Sequence, residues 1–513
     1  MLVSFLATGS QRALLLLVIT STLLWSSAAT SQAFPESETS QSYHGRVKGL
    51  EDFVTGVMAQ QMASRDIAGA VVTVVNDGKV LISKGYGYAN VAERKPVDPV
   101  HTLFRVGSIS KLFTFTALMQ QVELGRVNLE ADINRYLDFT IPPFNGTDGE
   151  ESIIRVIDLM RHTPGFSDIY DETFTRDPAE AIAYTNWIKK YMPIRVWPAG
   201  TEIAYSQYGA TLAGYIVERV SGIPFVEYME KHIFSPLGMN SSTFKEPLPD
   251  KLKDDMAEGY TLIDGRFVPQ GFEFWGAMTP AVSMSSTASD MGRFMLTMLN
   301  GGKLPGTTGK VLNSTSVKFI MTDAAANVPD LPGYAHGFYV VRKSNPRIIG
   351  HGGDTADFHS RVVLVPGHDF GLFVSMSGGE GTIYGQAELT NAVLGRLFPQ
   401  HPTKRYIGGE ENQEELSGLM GSYRSNRQDY TIAPMPEWDL NITMPEPGVV
   451  VIRDLLLGTS AWEQVGEYRF EQVTAAVRDG GPYNQLKFYY GGHDGRARVT
   501  FSHEPYHSYF RVG

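Results

Sequence analysis

The sequence contains no cysteine among its 513 residues. Disulfide bonds, thiolate metal sites and a cysteine nucleophile are therefore excluded. A basic excess is also lacking, since 44 Lys and Arg residues stand against 55 Asp and Glu residues and give a net charge of −11. A protein that binds nucleic acid through its phosphates needs a basic surface, so this composition argues against that class.

Long apolar runs are lacking beyond the N-terminus. The strongly apolar residues 13–25 follow Arg12 and precede an Ala/Ser-rich segment that ends at Ala33. A secretory signal typically has a basic N-terminal region, a short apolar run and a cleavage site of small residues. We expect cleavage after Ala29 or Ala33. An uncleaved N-terminal membrane anchor is the alternative, although the run is shorter than the roughly 20 residues of a span. We expect a secreted or periplasmic protein with no stable span after cleavage.

The composition provides enough apolar material for a folded protein, with 42% hydrophobic residues, and the length predicts at least two folded units. Apolar spacing and turn residues predict the order of the first elements. These are a helix at 47–64, a hairpin of strands 71–75 and 80–82, a helix at 107–125, mostly helices at 126–300, strands between 338 and 376, and a helix at 386–397.

The composition changes after residue 400. Residues 408–415 are polar and acidic and are typical of a linker. Beyond them, short apolar strands alternate with Gly, Pro and Asp at even spacing, which predicts a small antiparallel barrel or sandwich.

One candidate for chemistry lies at the start of the helix near residue 107. Ser108 and Lys111 are three residues apart, so their side chains share a helix face. A desolvated lysine amine can activate a serine hydroxyl, and the N–H groups at a helix start stabilise developing negative charge. The alternative is an N-capping serine beside a solvated lysine. The same spacing recurs at Ser242 and Lys245 in a turn-like region, which we interpret as coincidence.

Two further segments carry polar groups among turn formers. Tyr205 and Gln207 lie just before a predicted helix, and His351, Gly352 and Gly353 lie at a predicted strand start. Adjacent glycines allow a substrate backbone to approach a strand closely. The alternative interpretations are a buried tyrosine with a satisfied hydroxyl and a glycine turn with a surface histidine.

The order of these motifs resembles that of the serine β-lactamase and penicillin-binding-protein superfamily. The motifs are Ser-x-x-Lys at 108–111, Tyr-Ser-Gln at 205–207 and His-Gly-Gly at 351–353, and the segments 103–111, 159–166 and 233–239 also resemble family segments. The chain is most similar to the branch of class C β-lactamases, D-aminopeptidases, DD-carboxypeptidases and related esterases. The resemblance covers about residues 45–400.

This resemblance implies an α/β (α+β) fold, with an antiparallel sheet flanked by helices and a mainly helical subdomain. Residues 421–425 resemble the opening of the lipocalin-like barrel of similar peptidases. We therefore predict a signal peptide at 1–33, a lead-in at 34–45, a serine hydrolase domain at 46–400, a linker at 401–415 and a C-terminal β-barrel at 416–513. No cofactor is implied, and no metal site is indicated because His162 and His359 are isolated in the sequence.

The resemblance also implies roles for individual residues. Ser108 is the expected acylated nucleophile, and Lys111 is the expected acceptor of its proton. Tyr205 is expected to relay that proton to the leaving group. The backbone N–H groups of Ser108 and Asp354 are expected to form the oxyanion hole.

Two residues depart from the family pattern. Gln207 replaces the usual Asn, which leaves its contact with substrate open. His351 replaces a permanently charged Lys, and a histidine with a pKa of about 6.5 is mostly neutral at pH 7. We therefore expect a hydrolase of small peptides, amides or esters, with Gly352 and Gly353 beside the substrate. A β-lactamase proper and a non-catalytic penicillin-recognising protein are the alternatives.

Overall fold

The computed structural model describes residues 40–144, 149, 153–379, 381–436, 439–454, 458–473, 483–492 and 494–512. The predicted signal peptide lies outside these residues. The chain divides after Lys48 into two units, Met1–Lys48 and Gly49–Gly513. Of the first unit the structure describes one helix, α1 (Ser40–Val47). Within the described residues, no helix combines the length and the hydropathy needed to cross a membrane.

The unit Gly49–Gly513 contains helices as far as residue 418. They are α2 (Leu50–Ser64), α3 (Ser110–Glu123), α4 (Val156–Arg161), α5 (Tyr184–Lys190), α6 (Gln207–Ser221), α7 (Phe225–Met229), α8 (Ser235–Leu237), α9 (Asp250–Lys253), α10 (Thr279–Val282), α11 (Ala288–Leu299), α12 (Ser314–Met321), α13 (Thr382–Leu397) and α14 (Glu410–Gly418). A π-helical turn (Glu230–Phe234) joins α7 to α8, and 3₁₀ turns lie at Gly107–Ile109, Ile133–Arg135, Gly276–Met278 and Pro366–His368.

The strands fall into two groups separated by α13 and α14. The first group is β1 (Ile67–Asn76), β2 (Lys79–Asn90), β3 (Lys95–Pro96), β4 (Phe104–Arg105), β5 (Tyr260–Ile263), β6 (Arg266–Pro269), β7 (Ser285–Ser286), β8 (Tyr339–Arg342), β9 (Ile348–Asp354), β10 (Phe358–Val365) and β11 (Phe370–Gly378). The second group is β12 (Gly421–Ser425), β13 (Leu440–Glu446), β14 (Val449–Asp454), β15 (Gly458–Gly466), β16 (Arg469–Gln472), β17 (Gln485–Tyr490), β18 (Ala497–Phe501) and β19 (Tyr509–Val512).

Seven strands of the first group form an antiparallel sheet in the order β3-β2-β1-β11-β10-β9-β8. Every residue of β1 and β11 is buried, because helices cover both faces of the sheet centre. Helix α13 packs on β10 and β11, and α11 packs on β1 and β11. Thr73 of β1 faces α11 through a hydrogen bond to the Ala288 carbonyl, whereas Met376 of β11 lies against Gly385 of α13.

Helix α3 is the centre of the largely helical region between the two parts of the sheet. Nearly all of its residues are buried, including Lys111. It packs against α6 and α10, and the 3₁₀ turn before it contacts β9 and β10. The start of α3 therefore lies where the helical region meets the sheet.

The eight strands of the second group form a closed antiparallel barrel, in which β12 pairs with β19. Its inward side chains form a packed cluster that includes Tyr423, Trp462, Phe470 and Phe488. Closure removes the exposed strand edges that a sandwich would leave.

The structure confirms the predicted fold class, a sheet flanked by helices with a helical subdomain and a C-terminal barrel. The sequence pattern missed three strands of the barrel, β12, β15 and β19, and the five short strands β3 to β7 of the first group. The residues expected to form a linker contain the start of α14, so this segment is partly helical. The domain boundaries stay a prediction, since residues Gly49–Gly513 form one compact unit.

Candidate active site

Ser108 lies in the 3₁₀ turn Gly107–Ile109, directly before α3. The turn is closed by Ser110, whose Oγ donates to the Gly107 carbonyl at 2.6 Å and accepts from the Met284 N–H at 3.1 Å. Ser110 is fully buried, whereas Ser108 is partly exposed. The two serines of the motif therefore lie in different environments, and Ser108 is the more exposed of the two.

Two glycines bring the turn against β9. Gly107 has a φ of 54°, and a Cβ built on it would lie 2.8 Å from the backbone nitrogen of Asp354. A Cβ on Gly353 would lie 1.9 Å from the carbonyl oxygen of Val106. Since any side chain at either position would push the two segments apart, these glycines keep Ser108 beside β9.

The Lys111 side chain is completely buried and reaches three polar atoms. Its Nζ lies 2.9 Å from Ser108 Oγ, 2.6 Å from Gln207 Oε1 and 2.9 Å from the Ala281 carbonyl oxygen. Burial lowers the pKa of Lys111 well below 10.5, and the positive charge of Arg427 lowers it further. Both effects disfavour the ammonium form.

A neutral amine suits these three contacts. It has two N–H groups, which match the Gln207 and Ala281 oxygens, and one lone pair, which can accept the hydroxyl proton of Ser108. A carboxylate next to Lys111 would instead stabilise the ammonium, and none makes a hydrogen bond to its Nζ among the described residues. The arrangement can therefore remove a proton from Ser108.

Tyr205 lies in the irregular segment that precedes α6 and is almost fully buried. Its ring stacks on His162 at a centroid distance of 4.3 Å, and Lys111 Nζ lies 4.9 Å from the ring centre. Burial raises the pKa of Tyr205 above 10, while the nearby Ser108 hydroxyl lowers it to a smaller extent. Tyr205 is therefore a protonated phenol at neutral pH.

Gln207 is the first residue of α6, whose N-cap is Ser206. The Ser206 side chain accepts from the Gly209 N–H at 2.9 Å, which fixes the helix start beside Lys111. The Gln207 side chain contacts Lys111 through its oxygen. The sequence left the contact of Gln207 with substrate open, and the structure shows that this residue helps to hold the lysine.

His351 lies on β9 and is buried, with 1% of its surface exposed. Burial lowers its pKa to about 3. Its Nδ1 lies 2.6 Å from the Gly352 carbonyl oxygen, so a neutral ring with the proton on Nδ1 fits this contact. His351 is therefore uncharged at neutral pH.

Asp354 ends β9 with an exposed carboxylate that pairs with His359 Nδ1 at 2.7 Å. Its backbone nitrogen faces the Ser108 turn, as the contact with Gly107 shows. On the preceding residues, the Gly352 N–H donates to the Tyr339 hydroxyl. The backbone of β9 thus runs directly past Ser108.

Sequence reasoning missed two residues that contact the Tyr205 ring. His162, which the sequence left isolated, is fully buried against the Tyr205 ring, and its Nδ1 accepts from the Ser206 N–H at 3.0 Å. Arg427, just after β12 of the barrel, lies 4.8 Å from the same ring and donates to Asp168 at 2.9 Å. The segment at 159–166 offered a signal for His162, whereas nothing in the sequence pointed to Arg427.

A cleft of about 500 Å³ joins these residues. Its walls combine both parts of the unit: Ser108, Tyr205, Gln207, His351, Gly352 and Asp354 from the sheet and helical region, and Arg427, Asn484, Ser502 and Tyr506 from the barrel region. Across the described part of the chain, no group of three or more acidic or histidine side chains could hold a metal ion.

The sequence comparison identifies relatives of part of the chain. Protein flp of Staphylococcus aureus (strain N315) is 26% identical over 319 residues, which make up 62% of this chain and 61% of flp. This chain therefore spans about three fifths of the length of that curated relative.

Solved structures with the same fold cover more of the chain. The octameric penicillin-binding protein homologue from Pyrococcus abyssi has a TM-score of 0.59 and 24% identity over 90% of this chain and 99% of its own. The D-alanine carboxypeptidase AmpC from Burkholderia cenocepacia has a TM-score of 0.53 and 22% identity over 68% of this chain and 99% of its own. At these identities the likeness establishes the fold.

The family model described as Beta-lactamase matches residues 54–394, which is more than half of the chain. The match includes Ser108, Lys111, Tyr205 and His351 and ends within α13, before the barrel. This chain belongs to the Beta-lactamase family.

Proposed function

We propose that this protein is a serine hydrolase of the cell envelope that cleaves an amide or ester through an acyl-serine intermediate. The family, whose members are mostly serine hydrolases, and the likeness to a D-alanine carboxypeptidase support the reaction class. The observation that carries the proposal is the buried Lys111 amine, whose pKa is lowered, at 2.9 Å from Ser108 Oγ.

The reaction starts with proton removal from the nucleophile. Neutral Lys111 accepts the hydroxyl proton of Ser108, and Ser108 Oγ forms a bond to the substrate carbonyl carbon. The carbonyl π electrons move to its oxygen. The backbone N–H groups of Ser108 and Asp354 stabilise that oxyanion in this proposal, which the close packing of Gly107 on Asp354 supports.

Collapse of this intermediate needs a proton donor for the leaving group. Tyr205 donates its phenolic proton to the leaving nitrogen or oxygen as the bond to the carbonyl carbon breaks, and it regains a proton from the Lys111 ammonium. The raised pKa of Tyr205 means that the phenol carries a proton at neutral pH, and the nearby Lys111 ammonium can replace that proton as it leaves. Water then attacks the acyl-serine, with the proton transfers reversed, and releases the acid and free Ser108.

A neutral His351 favours amide and ester substrates over β-lactams. With a pKa of about 3, its ring offers hydrogen bonding and no charge to a substrate carboxylate. We therefore expect anionic and neutral substrates to share one pH profile between about pH 5 and 8.

In His351→Lys, the ratio of the acylation rate with a cephalosporin to the acylation rate with a neutral ester should rise. An unchanged ratio in the folded variant would show that this position does not set the substrate class.

Burst kinetics test the proposal. Purified protein is mixed with a chromogenic ester, with D-amino-acid amides and with a chromogenic cephalosporin, and Ser108→Ala serves as the blank. Sustained turnover of an ester or amide is expected. A stoichiometric burst without turnover would indicate a penicillin-recognising binding protein, and preferred turnover of the cephalosporin would indicate a β-lactamase.

The envelope location rests on the sequence of residues 1–33. We expect the protein to be exported and cleaved after Ala29 or Ala33. N-terminal sequencing of protein recovered from the periplasm or medium tests this, and an intact N-terminus in the membrane fraction would support the anchored alternative.

A further inference from the structure

The segment that carries Tyr205 has no regular structure of its own. Residues 202–206 lie between a turn and the start of α6, so their backbone groups need partners outside the segment. The Tyr205 N–H donates to the Tyr506 carbonyl oxygen at 3.0 Å, and Asn426 Nδ2 donates to the Ile203 carbonyl oxygen at 3.0 Å. Both partners belong to the C-terminal barrel region. The conformation at Tyr205 is therefore held partly by the barrel.

A buried ion pair anchors the beginning of the same segment. Arg498 of β18 lies 2.8 Å from Glu202, and their side chains are 0% and 3% exposed. Asn426 also donates to Glu202 at 3.2 Å. Because both charges are shielded from water and face each other, breaking this pair would be costly, and the contact holds the segment against the barrel.

The barrel also reaches the Tyr205 ring through Arg427. The guanidinium carbon lies 4.8 Å from the ring centre, a distance at which a cation is attracted to an aromatic face. Its position is set by Asp168, which accepts from Nε at 2.9 Å. The ring thus contacts the barrel through Arg427 and the helical region through His162.

From these contacts we infer that the C-terminal barrel is part of the catalytic apparatus, in which Arg427, Asn426 and Tyr506 act as positioning residues that hold Tyr205 beside Ser108 and Lys111. The inference rests on the proposed acyl-serine reaction, because Tyr205 acts there as the proton donor. It extends the functional unit past α13, where the family match ends.

The pH dependence of the rate distinguishes the proposed role of Arg427 from a purely structural one. The reason is that Arg427 acts on the pKa of Lys111 through its charge. Burial keeps His162 and His351 neutral by lowering their pKa values, and it keeps Tyr205 neutral by raising its pKa. The charged groups that act on Lys111 are then Arg427 and Asp168. Loss of Arg427 leaves the Asp168 carboxylate, which stabilises the ammonium and raises the pKa of Lys111. The low-pH side of the pH–rate profile, where Lys111 becomes protonated, should therefore move to higher pH.

Arg424 provides a matched control on the same part of the barrel. Like Arg427 it pairs with an aspartate, since Nε and Nη2 lie 2.8 and 2.7 Å from the two oxygens of Asp439. It does not line the cleft. Arg424→Met removes a comparable ion pair and should leave kcat, KM and the pH profile unchanged.

The experiment compares Arg427→Met, Arg427→Lys and Arg424→Met with the full wild-type chain. The measurements are ester kcat and KM, and the rate of acylation by a fluorophosphonate between about pH 5 and 10. In Arg427→Met we expect kcat to fall by about 10- to 100-fold, as for a misplaced catalytic group. The low-pH side of the pH–rate profile should also move to higher pH.

Arg427→Lys keeps the positive charge and loses the planar guanidinium that lies over the Tyr205 ring. In this variant kcat should fall, and the pH–rate profile should stay in place.

Several outcomes would overturn the inference. If Arg427→Met has the same kcat and pH profile as Arg424→Met, the barrel does not position Tyr205. If Arg427→Met fails to fold in thermal unfolding, Arg427→Lys decides, and a wild-type kcat in that variant overturns the inference. Failure of wild-type Ser108 to form an adduct refutes the proposed reaction itself, whereas an adduct with unaffected Arg427 variants refutes the barrel's role alone.

Discussion

The chain contains two Ser-x-x-Lys sequences with opposite environments. Ser242 is buried and hydrogen-bonds to Asp290 at 2.8 Å, while Lys245 is 44% exposed and pairs with Glu230. The serine and the lysine of this copy therefore have separate partners, both of them acidic. In this copy the lysine contacts Glu230 and not the serine, so it cannot act as the base of Ser242.

The copy at Ser108 and Lys111 differs in two respects. It begins a helix, so the two side chains meet on one face, and its lysine is buried among groups that accept hydrogen bonds without carrying a negative charge. Burial lowers the pKa of Lys111, whereas Glu230 makes the ammonium of Lys245 a surface ion-pair partner. The spacing is thus common to both copies, and only the surroundings of Lys111 suit the base that the proposed reaction requires.

The sharpest test of this comparison is removal of each serine. Ser108→Ala should abolish the covalent adduct with a fluorophosphonate and lower kcat by on the order of 10⁴-fold or more, as for loss of a nucleophile. Ser242→Ala should keep both adduct and rate. Intact-mass spectrometry and ester kinetics measure this, and an adduct that survives Ser108→Ala would place the nucleophile elsewhere.

Removal of each lysine should give the next largest difference. Lys111→Met should lower kcat/KM by on the order of 10²- to 10⁴-fold, because a general base is lost. Lys245→Met removes an exposed ion pair worth about 0–1 kcal/mol and should leave kcat/KM unchanged. Equal losses in the two variants would contradict the assignment of Lys111 as the base.

Coupling between Lys111 and Tyr205 sharpens the comparison further. If both residues move the same proton, the double variant Lys111→Met/Tyr205→Phe should be little worse than the poorer single variant, since residues that act as a unit are not additive. The measurement is a double-mutant cycle in kcat/KM. Losses that multiply would mean that the two side chains act independently.

The smallest expected effect concerns the partner of Ser242. Burial raises the pKa of Asp290 from 3.8 to about 6, so the native state keeps this proton at a higher pH than the unfolded state does. The native state therefore loses about 2–3 kcal/mol of stability as pH rises from about 4 to 6, and no more above that. In Asp290→Asn this part of the pH dependence should disappear.

Urea unfolding at pH 4.5 and 7.5 measures the change. The free energy of unfolding should differ less between the two pH values in Asp290→Asn than in the wild type, and ester kcat should stay the same. An unaltered pH dependence would show that other groups cause it.

Local sequence was sufficient for those features that depend on neighbours in the chain. The helix start at Ser108, the β1–β2 hairpin and five of the eight barrel strands follow from spacing and turn residues, which act over a few positions. The motif order then identified the family, which the comparison over residues 54–394 confirms. Strand spacing alone left barrel and sandwich open, because closure depends on the pairing of β12 with β19 across the whole barrel. The resemblance predicted the barrel, and the structure confirms it.

The protonation states and the outer wall of the site arise from contacts between distant parts of the chain. Lys111 and His351 owe their lowered pKa values to burial, which no short sequence window reports because it depends on packing by α6, α10 and β9. Arg427 lies more than 300 residues after Ser108 and carries no motif, yet the folded barrel brings it to the Tyr205 ring. Spacing along the chain selects which side chains share a helix face, whereas desolvation and charge proximity exist only after the sheet, the helices and the barrel have packed together.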